Sequence, residues 1–319
     1  MQIYADDIDI TPITGGISWQ NTLAELATTL SFEVAKVHAQ YTTIYLPQEG
    51  SIVRLVTHEE IMRGIILSVD DGGVISNKYT AVDFGFYLNK NSDTYQFTDE
   101  SADTAITQIC GGFGIPIDSL CELPLIFSKI YLDKSASEVI WDILEQATAV
   151  SGYAYNFDVT PQGLRIYRLG DLHAEPRFRL SENTQHYNSV DLRGAVSHTV
   201  SIEEMKNSVK VISGGEDGFA HLTTERDEGL ISQYGLLQTV EKVDEEKVGN
   251  AADIARRKLG ELSQKAETFS FEIIEAEDCY TRAGYEIEVD GVKYIVESAA
   301  HTVQNGVRRV KLDLWRAKT

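Results

Sequence analysis

Cysteine is scarce in this sequence: Cys110, Cys121 and Cys279 are the three in 319 residues. Their odd number and wide spacing exclude a disulfide framework and a Cys-x-x-Cys metal knuckle, and favour folding in a reducing cytosol. Cys110 and Cys121 stand in apolar surroundings and are expected to be buried thiols. Proline is scarce too, with six residues against 24 glycines. That leaves no Pro-rich linker and fits a protein of strands and turns. Long apolar runs are missing. No stretch approaches the roughly 20 apolar residues of a membrane span. The start, MQIYADDIDI, has neither the basic residues nor the apolar segment of a secretory signal. No membrane anchor is expected.

Basic charge is the largest deficit. Lysine and arginine total 28 against 49 acidic residues, a formal net charge of -21. Such a surface repels phosphate, so specific or non-specific nucleic-acid binding and docking on anionic membrane are not expected. The plainest role of this acidity is to keep the protein dispersed.

Catalytic patterns are absent as well. There is no Gly-x-Ser-x-Gly elbow and no Walker loop. The glycine clusters GGFGIP (111–116) and SGGEDG (213–218) lack the lysine and the strand–loop–helix order that cradle phosphate. The first reads as a helix stop, the second as a loop after a strand. The histidines His38, His58, His173, His186, His198, His221 and His301 show no zinc spacing. His301, among acidic neighbours near a turn, reads as a hydrogen-bonded histidine at a sheet edge. The pairs Asp70/Asp71, Glu203/Glu204 and Glu245/Glu246 are sequence neighbours, which do not face each other across a cleft as glycoside hydrolysis requires. A calcium loop around Asp217-Gly218 and Asp227 lacks the usual ligand spacing. No catalytic, cofactor or metal residue is assigned.

What is present is a pattern of elements. Hydrophobic residues make up 43% of the chain, enough for ordinary cores. Residues 1–90 read mainly as strands, with a hairpin over SIVRLV (51–56) and RGIILSVDDGGVISNKYTAVDF (63–84). The stretch NTLAELATTLSFEV is a short helix or loop that feeds a strand from about residue 29 to 38. Residues 91–187 change to α+β. TDESADTAITQIC predicts a helix that stops at the glycines before Pro116. In DKSASEVIWDILEQATAVSGY, Ser135 and Glu138 have capping-box spacing, Val139, Ile140, Ile143, Leu144 and Ala147 form one stripe, and Gly152 ends the helix. YAYNFDVTPQGLRIYRLGD follows as a hairpin about Pro161-Gln162-Gly163. Residues 188–319 return to strands around one helix, 244–264. The fold class is therefore β-rich α+β. Trp19, Trp141 and Trp315 lie in apolar contexts and read as core.

The chain closes with EIEVDGVKYIVESAAHTVQNGVRRVKLDLW (286–315). Asp290-Gly291 and Asn305-Gly306 are two-residue hairpin turns between alternating runs. This meander has strong turn chemistry and no nucleophile, so it is expected to shape a sheet.

The order of several segments resembles a known family. AVDFGFYLNKN with Tyr87, Leu88 and Asn89 leads into a helix with the exit Phe113–Pro116. Ile126-Phe127 and the helix Ser135–Leu144 follow. Then come MKNSVKV (205–211), QYGLLQ (233–238), AADIARRKL (251–259) and YIVESAAHTVQNGVRRVKLDL (294–314). This set is similar to the XkdQ/YqbQ-type, late control protein D-like family of prophage tail proteins, the baseplate hubs of contractile tails and phage-tail-like bacteriocins. One departure is Arg282-Ala283-Gly284-Tyr285, where the family pattern has Gly-Asp.

The resemblance implies two tube-like β-barrel domains, residues 1–90 and 188–319, flanking a middle α+β domain, 91–187. It implies a homotrimeric ring that joins a sixfold tail tube to a threefold spike. The partners would be the tail tube or tube-initiator protein, the central spike protein and other baseplate proteins. Assembly would take place in the bacterial host cytoplasm, with the product in the baseplate of a virion or tail-like particle, and in a phage DNA would pass the bore. A tail-associated cell-wall hydrolase and a carbohydrate-binding β module are the alternatives.

Overall fold

The computed structural model describes residues 1–36, 45–174, 197–215, 218–243, 245–275, 279–289 and 292–316. The chain forms two units, residues 1–197 with 269–319, and residues 198–268.

The larger unit is built on one long sheet. Its strands run in the order Ala266–Ile274, Val307–Arg316, Val292–Gln304, Thr14–Thr22, Thr29–Ala35, Ser76–Asp83, Glu60–Asp71, Ile52–Val56, Gln2–Ala5 and Ile8–Asp9, with Glu286–Val289 paired beside Val292–Gln304. Both chain ends thus contribute to the same sheet. The seam is antiparallel, with His301 opposite Trp19 and Ala299 opposite Asn21. The sheet path is open, and strict alternation explains its burial. Leu30, Phe32 and Val34 point inward from one strand while Ser31 and Glu33 do not. Residues 23–28, read as a short helix or loop, form a loop.

The α+β part of this unit has its own core. The helix Ala102–Gly112 begins at Ser101, whose hydroxyl accepts from the Thr104 N–H. The helix Ala136–Ser151 carries the full capping box of Ser135 and Glu138, and ends at Gly152 with φ 77°. Its stripe Val139, Ile140, Ile143, Leu144 and Ala147 is buried, at about 1.5–3 kcal/mol for each large side chain. Two small sheets pack with these helices. One is a ribbon of Ser92–Ser101 with Ile126–Ser135. The other joins Tyr155–Thr160 to Gly163–Arg168 as a hairpin, with Ile117–Leu120 added in parallel.

The ribbon was not evident from sequence, because Ile126, Ile130 and Leu132 alternate outward into solvent. The expected helix stop at GGFGIP is present. Gly114 has φ 68°, and the Ile115 N–H donates to the Cys110 carbonyl.

No disulfide joins the cysteines. Cys110 is buried, and burial pushes its thiol up to about 12. Cys121 is half-buried, not fully buried as its apolar context had implied. Maleimide labelling of the native protein at neutral pH should therefore modify Cys121 and spare Cys110 until unfolding. Mass spectrometry of the peptides checks this, and early labelling of Cys110 would contradict the packing.

The smaller unit contains a three-stranded sheet in the order Gly218–Arg226, Ser208–Gly215, Gln238–Val243, the last pair parallel. Helix Ala251–Leu262 covers one face through Ala251 and Ala255 on Val209, Val211 and Val243. The helix expected over 244–264 starts later, after a 3-10 turn over Glu245–Asn250.

Candidate functional site

The most concentrated chemistry in the larger unit is a buried ionic junction. It starts from hairpin register. The turn at Pro161-Gln162-Gly163 places Asp158 directly opposite Arg165. Arg165 donates to both carboxylate oxygens, Nε to Oδ1 at 3.0 Å and NH2 to Oδ2 at 2.6 Å. Every residue of Tyr155–Thr160 is buried, so this bidentate pair is removed from water. Burial alone would lower the Arg165 pKa, and the Asp158 carboxylate reverses that and holds it above the usual arginine value.

A second guanidinium reaches the same carboxylate. Arg282 lies 3.3 Å from Asp158 Oδ2 and is 5% exposed. It precedes a chain reversal that is fixed from several sides. The Ala283 N–H donates to Asn21 Oδ1 at 2.7 Å, and the Gly284 N–H to the Val296 carbonyl at 2.8 Å. Gly284 has φ 86°, and a Cβ there would stand 2.0 Å from the Tyr167 hydroxyl. Tyr285 stacks its ring under Arg165 at 5.7 Å.

Asp83 closes one side of this cluster. It accepts from the Thr28 N–H at 2.7 Å and from the Gly85 N–H at 2.9 Å. Burial pushes its carboxyl up to about 6, against these donors and the Arg282 charge. An ordinary Asp loses its proton near 3.8. Between about pH 4 and 6 the folded protein therefore holds a proton that the unfolded chain has released. The Asp83 contribution to stability then falls as pH rises through that window. Asp83→Asn should remove this slope. Urea midpoints of parent and variant from pH 4 to 7 should diverge in the variant's favour as pH rises, and a constant difference would contradict the assignment.

A neighbouring cluster centres on Glu275. Its Oε1 accepts from the Thr281 N–H at 2.7 Å, and its Oε2 lies 3.2 Å from both His301 Nδ1 and Arg308 Nε. Arg308 also donates to the Cys279 carbonyl. His301 Nε2 donates to the Thr281 carbonyl at 3.0 Å, and its ring stacks on Trp19 at 4.6 Å between centroids.

This corrects the reading of His301 as a sheet-edge residue. It is 1% exposed and sits between two paired strands, opposite Trp19 on one side and Val310 on the other. The nearby turn suggested an edge, but the strand Thr14–Thr22 from the far end of the chain covers it.

Other sequence candidates lie elsewhere. Asn305 and Gly306 have φ of 52° and 75° at the tip of an antiparallel hairpin, away from the junction. Asp290 and Gly291 lie outside the described residues, although Val289 pairs with Val292 across them. Asp217 also lies outside them, while Asp227 caps the helix Glu228–Tyr234 by accepting from the Leu230 N–H. His38 and His186 fall outside them too. Asp71 pairs with Lys36. Trp141 and Trp315 are only partly buried. Among the described residues no group of three His, Cys, Asp or Glu side chains is gathered as metal ligands.

Asp158, Arg165 and Glu275 belong to no motif that sequence reasoning marks, and Arg282 stands only where the family's Gly-Asp pattern is broken. The available signal was an opposite-charge pair set symmetrically about a hairpin turn in an apolar stretch. Chemically the junction is a clamp. Its carboxylates are engaged by guanidinium groups or N–H donors, and it ties the hairpin of the α+β part to strands of the long sheet that come from both ends of the chain.

Comparison with known proteins places this architecture. YqbQ of Bacillus subtilis (strain 168), an uncharacterized protein, is 27% identical over 265 residues, covering 80% of this chain and 78% of YqbQ. The phage-like element PBSX protein XkdQ of the same organism is 25% identical over 229 residues, covering 70% of this chain and 66% of XkdQ. The 43 kDa tail protein of prophage MuSo2 from Shewanella oneidensis shares the fold with a TM-score of 0.71 at 14% identity, over 99% of this chain and 98% of that one. The YqbQ-like family profile matches residues 17–315, and the chain belongs to the YqbQ-like family.

Proposed function

We propose that this protein is a structural component of a phage-type tail, the hub of its baseplate. The observation that carries this reading is correspondence over nearly the full length of the chain to a prophage tail protein, with both chains covered almost end to end. The name of XkdQ, a protein of a phage-like element, agrees with it. The buried junction fits such a role, because a rigid adaptor needs its parts locked together.

In this reading three copies form a ring. The two β-rich ends, residues 1–90 and 188–319, act as tube-like barrels whose strands in part share one long sheet, beside the α+β domain, 91–187. Six such barrels meet a sixfold tube, and the threefold ring receives the central spike. The acidic surface lets DNA slide past where the particle carries DNA, since it does not hold phosphate. The ring assembles in the host cytoplasm and works without enzymatic turnover or cofactor.

The test is co-expression with the neighbouring tube and spike genes, followed by purification and mass measurement. A complex with three copies of this chain is expected. A chain that purifies alone as a monomer in the presence of both partners would contradict the reading. So would cell-wall cleavage in a zymogram that a single carboxylate-to-amide change abolishes.

A further inference from the structure

Two exposed surfaces of this chain are complementary, and we infer that they meet between copies: the open sheet face of residues 198–268 docks on the ribbon Ser92–Ser101/Ile126–Ser135 of a second copy. This rests on the reading of the chain as a ring-forming subunit, and it names the contact.

The first surface is the sheet face that helix Ala251–Leu262 leaves uncovered. Val209 and Val211 face that helix, so Lys210 between them faces the opposite way. Register puts Val240 beside Lys210 and Lys242 beside Ile212 on the same side. Thr224 stands opposite Lys210, and Arg226 opposite Ser208. Phe219 is 70% exposed with Lys210 over its ring, and Val240 is 52% exposed. Among the described residues, Lys210, Arg226 and Lys242 make no ion pair, and no carboxylate lies on this face. The one acidic residue of the strand Gln238–Val243, Glu241, points to the helix side and pairs with Lys258. A basic, apolar sheet face is unusual in a chain of net charge -21.

The second surface has the opposite character. Ile126 is 73%, Ile130 59% and Leu132 69% exposed, in a row along one strand of a two-stranded ribbon. Carboxylates mark both irregular positions of the ribbon. Asp99 and Asp133 have φ of 50° and 49°, and they accept from the Ser128 and Ser92 hydroxyls on the face that the apolar row occupies. The ribbon's own lysines are committed elsewhere, Lys129 to Asp142 and Lys134 to Glu138. Among the described residues Asp99 and Asp133 have no cation partner. An apolar row flanked by free carboxylates matches an apolar patch flanked by free cations.

The two patches are different parts of one chain. A contact between them is head-to-tail, and head-to-tail contacts close into rings when the rotation allows. It also covers apolar rows and strand edges that isolated subunits would expose to aggregation.

The test is the sedimentation mass of the full chain at low salt, where charge pairing is least screened. The parent is expected to sediment as an oligomer. Lys210→Glu with Lys242→Glu should reduce the mass to that of a monomer while the melting profile stays that of the parent. Adding Asp99→Lys and Asp133→Lys to that variant should restore the oligomer, which a misfolded or merely destabilised chain would not do. A monomeric parent, a reversed variant that keeps the parent's mass, or a four-site variant that stays monomeric each overturns the contact. Incorporation of the parent into tail particles is read separately. If the parent is incorporated while the masses do not respond, the hub reading stands and this contact falls. If it is not incorporated, the hub reading falls.

Discussion

Asp158→Ala is expected to cost the larger unit about 3–5 kcal/mol of stability. The substitution takes from buried Arg165 and Arg282 the carboxylate both pair with, and removing one partner of a buried ionic group is far more damaging than its net contribution implies. Arg165 and Arg282 are both largely withdrawn from solvent, with side chains 16% and 6% exposed. The exposed pair Arg309–Glu272, with side chains about half in water, provides the contrast. Arg309→Ala should change stability by about 1 kcal/mol or less. Trp19, Trp141 and Trp315 all belong to the larger unit, so tryptophan fluorescence in urea follows that unit without the smaller one. An Asp158→Ala midpoint close to that of Arg309→Ala would show that the junction is not the clamp described.

The second large effect is expected at Gly284. Its left-handed φ costs a residue with a side chain about 1–2 kcal/mol. The added Cβ would also fall 2.0 Å from the Tyr167 hydroxyl and 2.8 Å from its ring carbon, and relief of such overpacking in a fixed site costs about 1–3 kcal/mol more. The backbone cannot move away freely, because the Gly284 N–H and the preceding Ala283 N–H are both committed to the long sheet. Gly284→Ala should therefore lower the fluorescence-detected stability by about 3 kcal/mol or more. Gly306→Val tests conformation without collision. Gly306 has φ 75°, and a Cβ added there would meet nothing within 4 Å, so about 1–2 kcal/mol is expected. Glu288→Ala, on an exposed strand position, should stay within about 0.5 kcal/mol. Equal midpoints for Gly284→Ala and Gly306→Val would refute the close approach of Tyr167.

Local structure was largely legible in the sequence. The capping box at Ser135, the stripe through Ala147 and the left-handed stop at Gly152 depend on neighbours within a few turns, and all are present. The Asn305-Gly306 turn has the positive φ pair that its residues favour. What escaped were effects of distant chain. His301 is buried because a strand from residues 14–22 lies beside it, and no periodicity in residues 292–304 reports that neighbour.

The junction escaped for the same reason. Asp158 and Arg165 stand among apolar residues of the hairpin, and nothing in that pattern says whether their face is covered. Both faces of that hairpin are covered, one by the helices and the other by the turn that holds Arg282 and Gly284. The sequence did mark that turn as the place where the family's Gly-Asp pattern breaks off. It did not show that the break is where the chain passes against Tyr167. The exposed row Ile126, Ile130 and Leu132 was hidden in the opposite sense, since alternation cannot say which side of a ribbon faces water.

Whether this chain is the threefold hub of a tail is decided most directly by electron cryomicroscopy of the assembled particle. Three copies are expected in one ring between tube and spike, with the β-rich ends of each chain facing the tube. A particle in which this chain is absent, lies away from the tube axis, or is present in a copy number that breaks the threefold ring would contradict the hub reading.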